Sequence, residues 1–206
     1  MSMAGTPQPG ARAPDPTPIH SGAAEHLRYI RSTIEAAHTF TTIPGRGCLA
    51  MGVAALLAAA LESIPPLRAY WLPIWLMTAV VAGTIALFFM EAKARAQGLS
   101  LRRSVAYRFF LTIAPAFVAG GILTVALLPL VGRSVIAGVW LLLYGVGLAA
   151  CGVFSIPVVL IAGFGFMGLG TVTFVAPDAW APMMLALGFG AAHIALGIII
   201  MRDYGG

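Results

Sequence analysis

The stretch SVIAGVWLLLYGVGLAACGVFSIPVVLIAGFGFMGLGTVTFVAP, residues 134–177, runs for 44 positions without a charged side chain. A bilayer core takes about 20 apolar residues per helix. The stretch is too long for one crossing and suits two crossings joined by a tight turn. Cys-Gly and Ser-Ile-Pro interrupt the pattern at 151–157, which sets the expected turn there.

Working outward, the same measure finds four more apolar runs. Three lie upstream, over 47–63, 70–90 and 109–131, and one lies downstream over 180–201. With 134–152 and 156–176 they make six spans, leaving room only for short loops. Composition agrees. Of 206 residues, 60% are hydrophobic and 9% charged, against about 25% charged in ordinary soluble domains. Mean hydropathy is +0.94. A water-soluble fold cannot hide that much apolar surface, and disorder or a disulfide scaffold is excluded by the same figures. The fold class expected is an all-α polytopic membrane protein, a six-transmembrane-helix bundle over 47–202 followed by a short tail at 203–206.

The N-terminal region reads differently. Residues 1–20 hold Pro7, Pro9, Pro14, Pro16 and Pro18 among small residues, the composition of a disordered tail. No apolar h-region of signal-peptide type occurs there, so a cleaved leader is not expected. Residues 21–46 contain a helix and a connector. Leu27, Ile30, Ile34, Ala37 and Thr41 recur at helical spacing on one face, with Ser21 as N-cap. His26, Arg28, Arg31, Ser32 and Glu35 occupy the rest of the wheel. This pattern fits an amphipathic helix at the membrane interface, with Arg28 and Arg31 directed at lipid headgroups. Pro44 and Gly45 end it.

Twelve basic residues against seven acidic ones give a net charge of +5. The basic residues sit at the ends of apolar runs with no stacking aromatics between them, which argues against nucleic acid. Six spans put both termini on one side. That side holds Arg12, Arg28, Arg31, Arg46, Lys93, Arg95, Arg102, Arg103, Arg108 and Arg202; the other holds Arg68 and Arg133. The basic side stays in the cytoplasm. Cys48 and Cys151 then lie near the cytoplasmic face, too far apart in sequence for a metal motif and read as small packing residues.

Ionisable groups inside a bilayer are functional candidates by default. Glu62, Glu91 and Asp178 fall at span ends or in a loop, where they read as solvated. His193 lies within the last span, on a helical face with Ala186, Gly190 and Gly197. A stripe of small residues admits a neighbouring helix, so His193 is expected to face the bundle, either as hydrogen-bonded packing or as a ligand or transport contact with Gly190 and Gly197 beside it. A buried bis-histidine haem needs two such residues, and His20, His26 and His38 lie outside the spans; no cofactor or metal is expected. Glycines also line span four (Gly138, Gly145, Gly152, with Ala149) and span five (Gly163, Gly165, Gly168, Gly170), where they let backbones touch. GFGFMGLG is followed by no lysine and is not a phosphate loop. Pro115 and Gly120-Gly121 in span three hint at a broken transporter helix, but spans four to six hold no matching break. No G-x-S-x-G, H-E-x-x-H or close carboxylate pair occurs, and Ser155 and Thr173 have no base nearby in sequence.

The block HLRYIRSTIEAAHTFTTIPGRG (26–47) and the terminal LGFGAAHIALGIIIMRDYGG (187–206) resemble a family of small multi-pass bacterial membrane proteins. The resemblance implies a bacterial inner-membrane location and carries no activity. The function expected is a non-enzymatic accessory or sensory module in the lipid bilayer. It would bind a protein partner, a second copy or a lipid-like ligand through small-residue helix faces. The alternative is a small permease for an apolar or weakly polar solute, with His193 as its polar contact.

Overall fold

A computed structural model describes residues 43–96 and 105–204. The Pro-rich tail and the expected interfacial helix with Arg28 and Arg31 lie outside the described residues. Among the described residues every regular element is helical, and six helices are long and apolar enough to cross a membrane. They are α1 (Gly45–Ser63), α2 (Trp71–Ala96), α3 (Val105–Leu127), α4 (Arg133–Gly152), α5 (Pro157–Val175) and α6 (Asp178–Asp203). The chain is an all-α, polytopic membrane bundle.

Local chemistry sets the helix ends. A 3-10 turn, Pro65–Tyr70, leads into α2. The turn between α4 and α5 occupies 153–156, and Pro157 opens α5, where its missing N–H would have had no partner in any case. The N-terminus of α4 has no cap from its own preceding residue. Asp178, at the start of α6, supplies one instead. Its Oδ1 accepts from the Ser134 backbone N–H at 2.9 Å and from the Ser134 hydroxyl at 2.7 Å. A carboxylate there also offsets the positive end of the helix dipole. The loop acid read from sequence as merely solvated therefore ties α6 to α4.

The helix α4 forms the centre of the bundle. It packs along the length of α5, against α3 on another side, and touches the first turns of α6. Ile136 and Leu141 on α4 are fully buried, as are Ile156, Val159 and Phe166 at and within α5 and Ile200 on α6. Glycines at seven-residue intervals make the closest approaches, because seven residues return a helix to the same face after two turns. In α4, a Cβ on Gly145 would lie 2.7 Å from the Gly163 carbonyl oxygen and from the Met167 backbone N of α5. In α1, Gly45 and Gly52 meet Gly197 and Gly190 of α6 in the same manner. Gly165 and Gly168 face open space, so only Gly163 and Gly170 of the span-five run form the seam.

Two helices depart from this close packing. In α2 only Met90 and Ala94 are buried. Although consecutive in sequence, α2 and α3 hardly touch. Pro115 lies inside an uninterrupted α3. The irregular rod is α6: an α-helical turn, Ala181–Leu185, passes into a π-helical segment, Ala186–Ala192, and then into regular helix from His193.

Candidate functional site: an aromatic cavity ending at Tyr144 and His193

The separation of α2 from α3 leaves a cavity of about 470 Å³, walled by α1, α2, α3, α4 and α6. This size falls in the range of small-molecule pockets, about 300–1,000 Å³. Aliphatic and small side chains make up most of the wall, with aromatic rings set among them. Trp75 comes from α2, Phe117 from α3, Trp140 and Tyr144 from α4, and Phe189 from α6. Lining residues on the two loose helices are exposed, among them Leu76 on α2 and Phe117 and Val118 on α3, the last two at 39% and 61%. The cavity thus meets the surface along the gap between α2 and α3, where lipid would lie.

His193 is 4% exposed and lines this cavity. Its Nε2 lies 2.7 Å from the Tyr144 hydroxyl, a hydrogen bond across the α4–α6 contact. Tyr144 stands at the centre of an aromatic cluster. Ring centroids of Phe166, Phe189 and His193 lie 4.9, 5.2 and 5.4 Å from its own, and Phe117 packs edge-on at 6.1 Å. The π-helical segment ends immediately before His193. Such segments recur at functional sites, because the extra residue per turn re-aims the side chains beyond them. The carbonyls of Gly188 and Phe189 lie within electrostatic reach of the His193 ring. Neither forms a hydrogen bond with Nδ1, which is buried and unpaired among the described residues.

The three residues singled out on α6 take two different places. His193 reaches the cavity, whereas Gly190 and Gly197 are packed on α1: a Cβ on Gly190 would strike Leu56, and one on Gly197 would lie 2.7 Å from the Gly45 carbonyl oxygen. The sequence reading missed Tyr144, Trp75, Trp140 and Phe117. Their only signal is a set of aromatics on three apolar spans, which does not by itself say that they converge.

Glu62 corrects a second expectation. Read as a solvated helix end, it is 3% exposed. Trp75 Nε1 donates to its Oε2 at 2.7 Å, and Arg133 lies 3.6 Å from its Oε1. Arg133 also donates to the Arg68 carbonyl at 3.1 Å and stacks over the Trp71 ring at 5.4 Å. The cluster joins the ends of α1, α2 and α4 and holds Trp75 in the cavity wall. Glu91, by contrast, is solvated and pairs with Arg95 one turn on, at 2.6 Å. Cys48 and Cys151 are both buried and free; Cys48 lines the cavity, and Cys151 donates to the Phe109 carbonyl at 3.5 Å. Among the described residues no group of three His, Cys, Asp or Glu is placed to hold a metal ion.

No protein-family model matches the chain, and no match was found among curated proteins or solved structures.

Proposed function

We propose that the protein is a non-enzymatic accessory or sensory module of a bacterial cytoplasmic membrane, binding a lipid-like ligand in the cavity between α2 and α3. The observation that carries this reading is the aromatic, apolar cavity with a hydrogen-bonded Tyr144–His193 pair on its wall. Concave, mostly apolar sites with a few convergent polar groups are where small ligands bind. The glycine faces are used within the chain, at α1–α6 and α4–α5, so the cavity rather than those faces is the ligand site. The excess of basic residues on the side shared by the termini supports a cytoplasmic location for both. A C-terminal tag that reacts with an impermeant reagent on intact cells would refute that orientation.

Native mass spectrometry of the full chain from mild detergent tests the binding reading. The expected result is a retained small lipid-like molecule that is lost from Gly83→Phe. Gly83 lines the cavity, and a Cβ there meets nothing within 4 Å, so the new ring takes up ligand space in the cavity without straining the helices. A chain that never carries a ligand would defeat the proposal. The placement of His193 on the cavity wall also suits a permease for an apolar or weakly polar solute. Flux into liposomes that is abolished in His193→Ala would establish that reading in place of the first.

A further inference from the structure

Among the described residues, the lining of the cavity contains no Asp, Glu, Lys or Arg. A carboxylate, phosphate or ammonium entering it would be a buried charge without a partner, which is strongly disfavoured. The uncharged polar groups of the lining can be accounted for one at a time. The Thr78 hydroxyl donates to the Ile74 carbonyl at 2.8 Å. Trp75 Nε1 donates to Glu62, and Trp140 Nε1 donates to the Thr124 hydroxyl at 2.9 Å. Cys48 behaves as a small apolar surface with a weak donor. That leaves Trp71, whose ring lies under the Arg133 guanidinium at 5.4 Å, and the Tyr144–His193 pair.

This pair has one donor too many. A neutral imidazole carries one N–H and a phenol one O–H, so the pair brings two protons to one mutual hydrogen bond. If the Tyr144 hydroxyl donates to Nε2, the ring proton sits on Nδ1, which has no hydrogen-bond partner among the described residues. If Nε2 donates instead, the phenol hydrogen has no acceptor among the described residues. In either tautomer one polar hydrogen lacks a hydrogen-bond acceptor among the described residues, which is unfavourable until an acceptor is supplied. A ligand that brings an acceptor oxygen and no charge removes this cost.

We infer that the cavity takes a neutral, carbonyl-bearing amphiphile with a flat head, entering sideways from the lipid through the gap between α2 and α3. Its carbonyl oxygen accepts the Tyr144 phenol hydrogen while His193 Nε2–H donates to the phenol oxygen, because Nδ1 is buried away from the cavity. Its flat head lies against Phe117, Trp140 and Phe189, and its tail leaves past Leu76 and Val118. This inference rests on the proposed reading of the cavity as a ligand site and adds the chemistry of the ligand.

The test uses the full chain in nanodiscs and duroquinone, a neutral, fully substituted quinone that offers no ring position for the Cys48 thiol to add to. Trp71, Trp75 and Trp140 line the cavity, so binding quenches their fluorescence in a saturable manner, whereas partition into lipid alone does not saturate. Durene, the same ring without carbonyls, and 2,4,5-trimethylbenzoate, its charged relative, are ranked by displacement of duroquinone. Duroquinone is expected to bind at least tenfold more tightly than either. In the double variant Tyr144→Phe/His193→Phe its advantage over durene is lost, and in Gly83→Phe saturable quenching disappears. The Gly83→Phe arm stands even where the double variant does not fold. Equal affinity for duroquinone and durene, or preference for the benzoate, overturns the inference and leaves the cavity a lipid site. Absence of saturable quenching in a chain that retains a lipid by mass spectrometry overturns it likewise. If no lipid is retained either, the proposed function falls with it.

Discussion

The two sides of this bundle are built on opposite terms. Where α1 meets α6 and α4 meets α5, glycines bring backbone against backbone. Gly45 and Gly197 each leave room for the other's carbonyl oxygen, and Gly145 fits against the Gly163 carbonyl and the Met167 amide. Where α2 faces α3 the two helices hardly touch, and a cavity lies between them. In lipid the hydrophobic effect does not drive helices together, so close van der Waals contact has to. The glycine seams supply that contact and fix the frame. The loose pair, freed from holding the fold, can offer a space whose shape and polarity serve binding.

The contrast is broken most severely at a seam. Gly145→Val is expected to destabilise the bundle by about 3 kcal/mol or more, because overpacking against atoms that cannot move costs at least as much as it does in soluble cores. The atoms a side chain would meet there are backbone, at 2.7 Å. Unfolding in mixed detergent would show a large loss of stability; a change under 1 kcal/mol would mean that α4 and α5 do not approach as closely as described. The next effect is at the end of the loose pair. Glu62→Ala leaves the Trp75 indole N–H without its acceptor and Arg133 without its carboxylate, for a loss of about 2 kcal/mol. Glu62→Gln keeps an acceptor for Trp75 and should lose about half of that. Equal losses from the two would assign the stability to the charge pair rather than to the indole bond.

The same division decides what could be read from the sequence. Six crossings were legible, because an apolar run of membrane length is a one-dimensional property. The α4 seam was legible as well, since Gly138, Gly145 and Gly152 repeat on a single face. The neighbouring run was only half legible: of four closely spaced glycines, Gly163 and Gly170 enter the seam while Gly165 and Gly168 face outward, and composition alone does not separate them. His193 stood out as the ionisable group inside a span. Its partner did not, because Tyr144 lies 49 positions away in an uncharged run where a phenol carries no pattern. Glu62 was misread for a related reason. A carboxylate at a helix end is ordinarily solvated, and its burial depends on Arg133 and Trp75, brought in from two other helices. The cavity was not legible at all, since it arises from two consecutive helices failing to pack.

The smallest expected effect is also the one that separates the two sides most sharply, because its sign reverses. Gly83 lies in α2 and faces the cavity, with nothing within 4 Å of a Cβ placed on it. A glycine inside a helix is worse than alanine by about 0.5–1 kcal/mol, because it loses more backbone freedom on folding. Gly83→Ala should therefore stabilise the bundle by about that amount, whereas Gly145→Ala, with the same change in side chain, should destabilise it. One methyl group adds too little volume to close the cavity, so ligand retention should be unchanged in Gly83→Ala and lost only with the larger Gly83→Phe. Paired unfolding measurements on the two alanine variants check this directly. If both lose stability, α2 packs against something at Gly83, and the space between α2 and α3 is not a cavity in the folded protein.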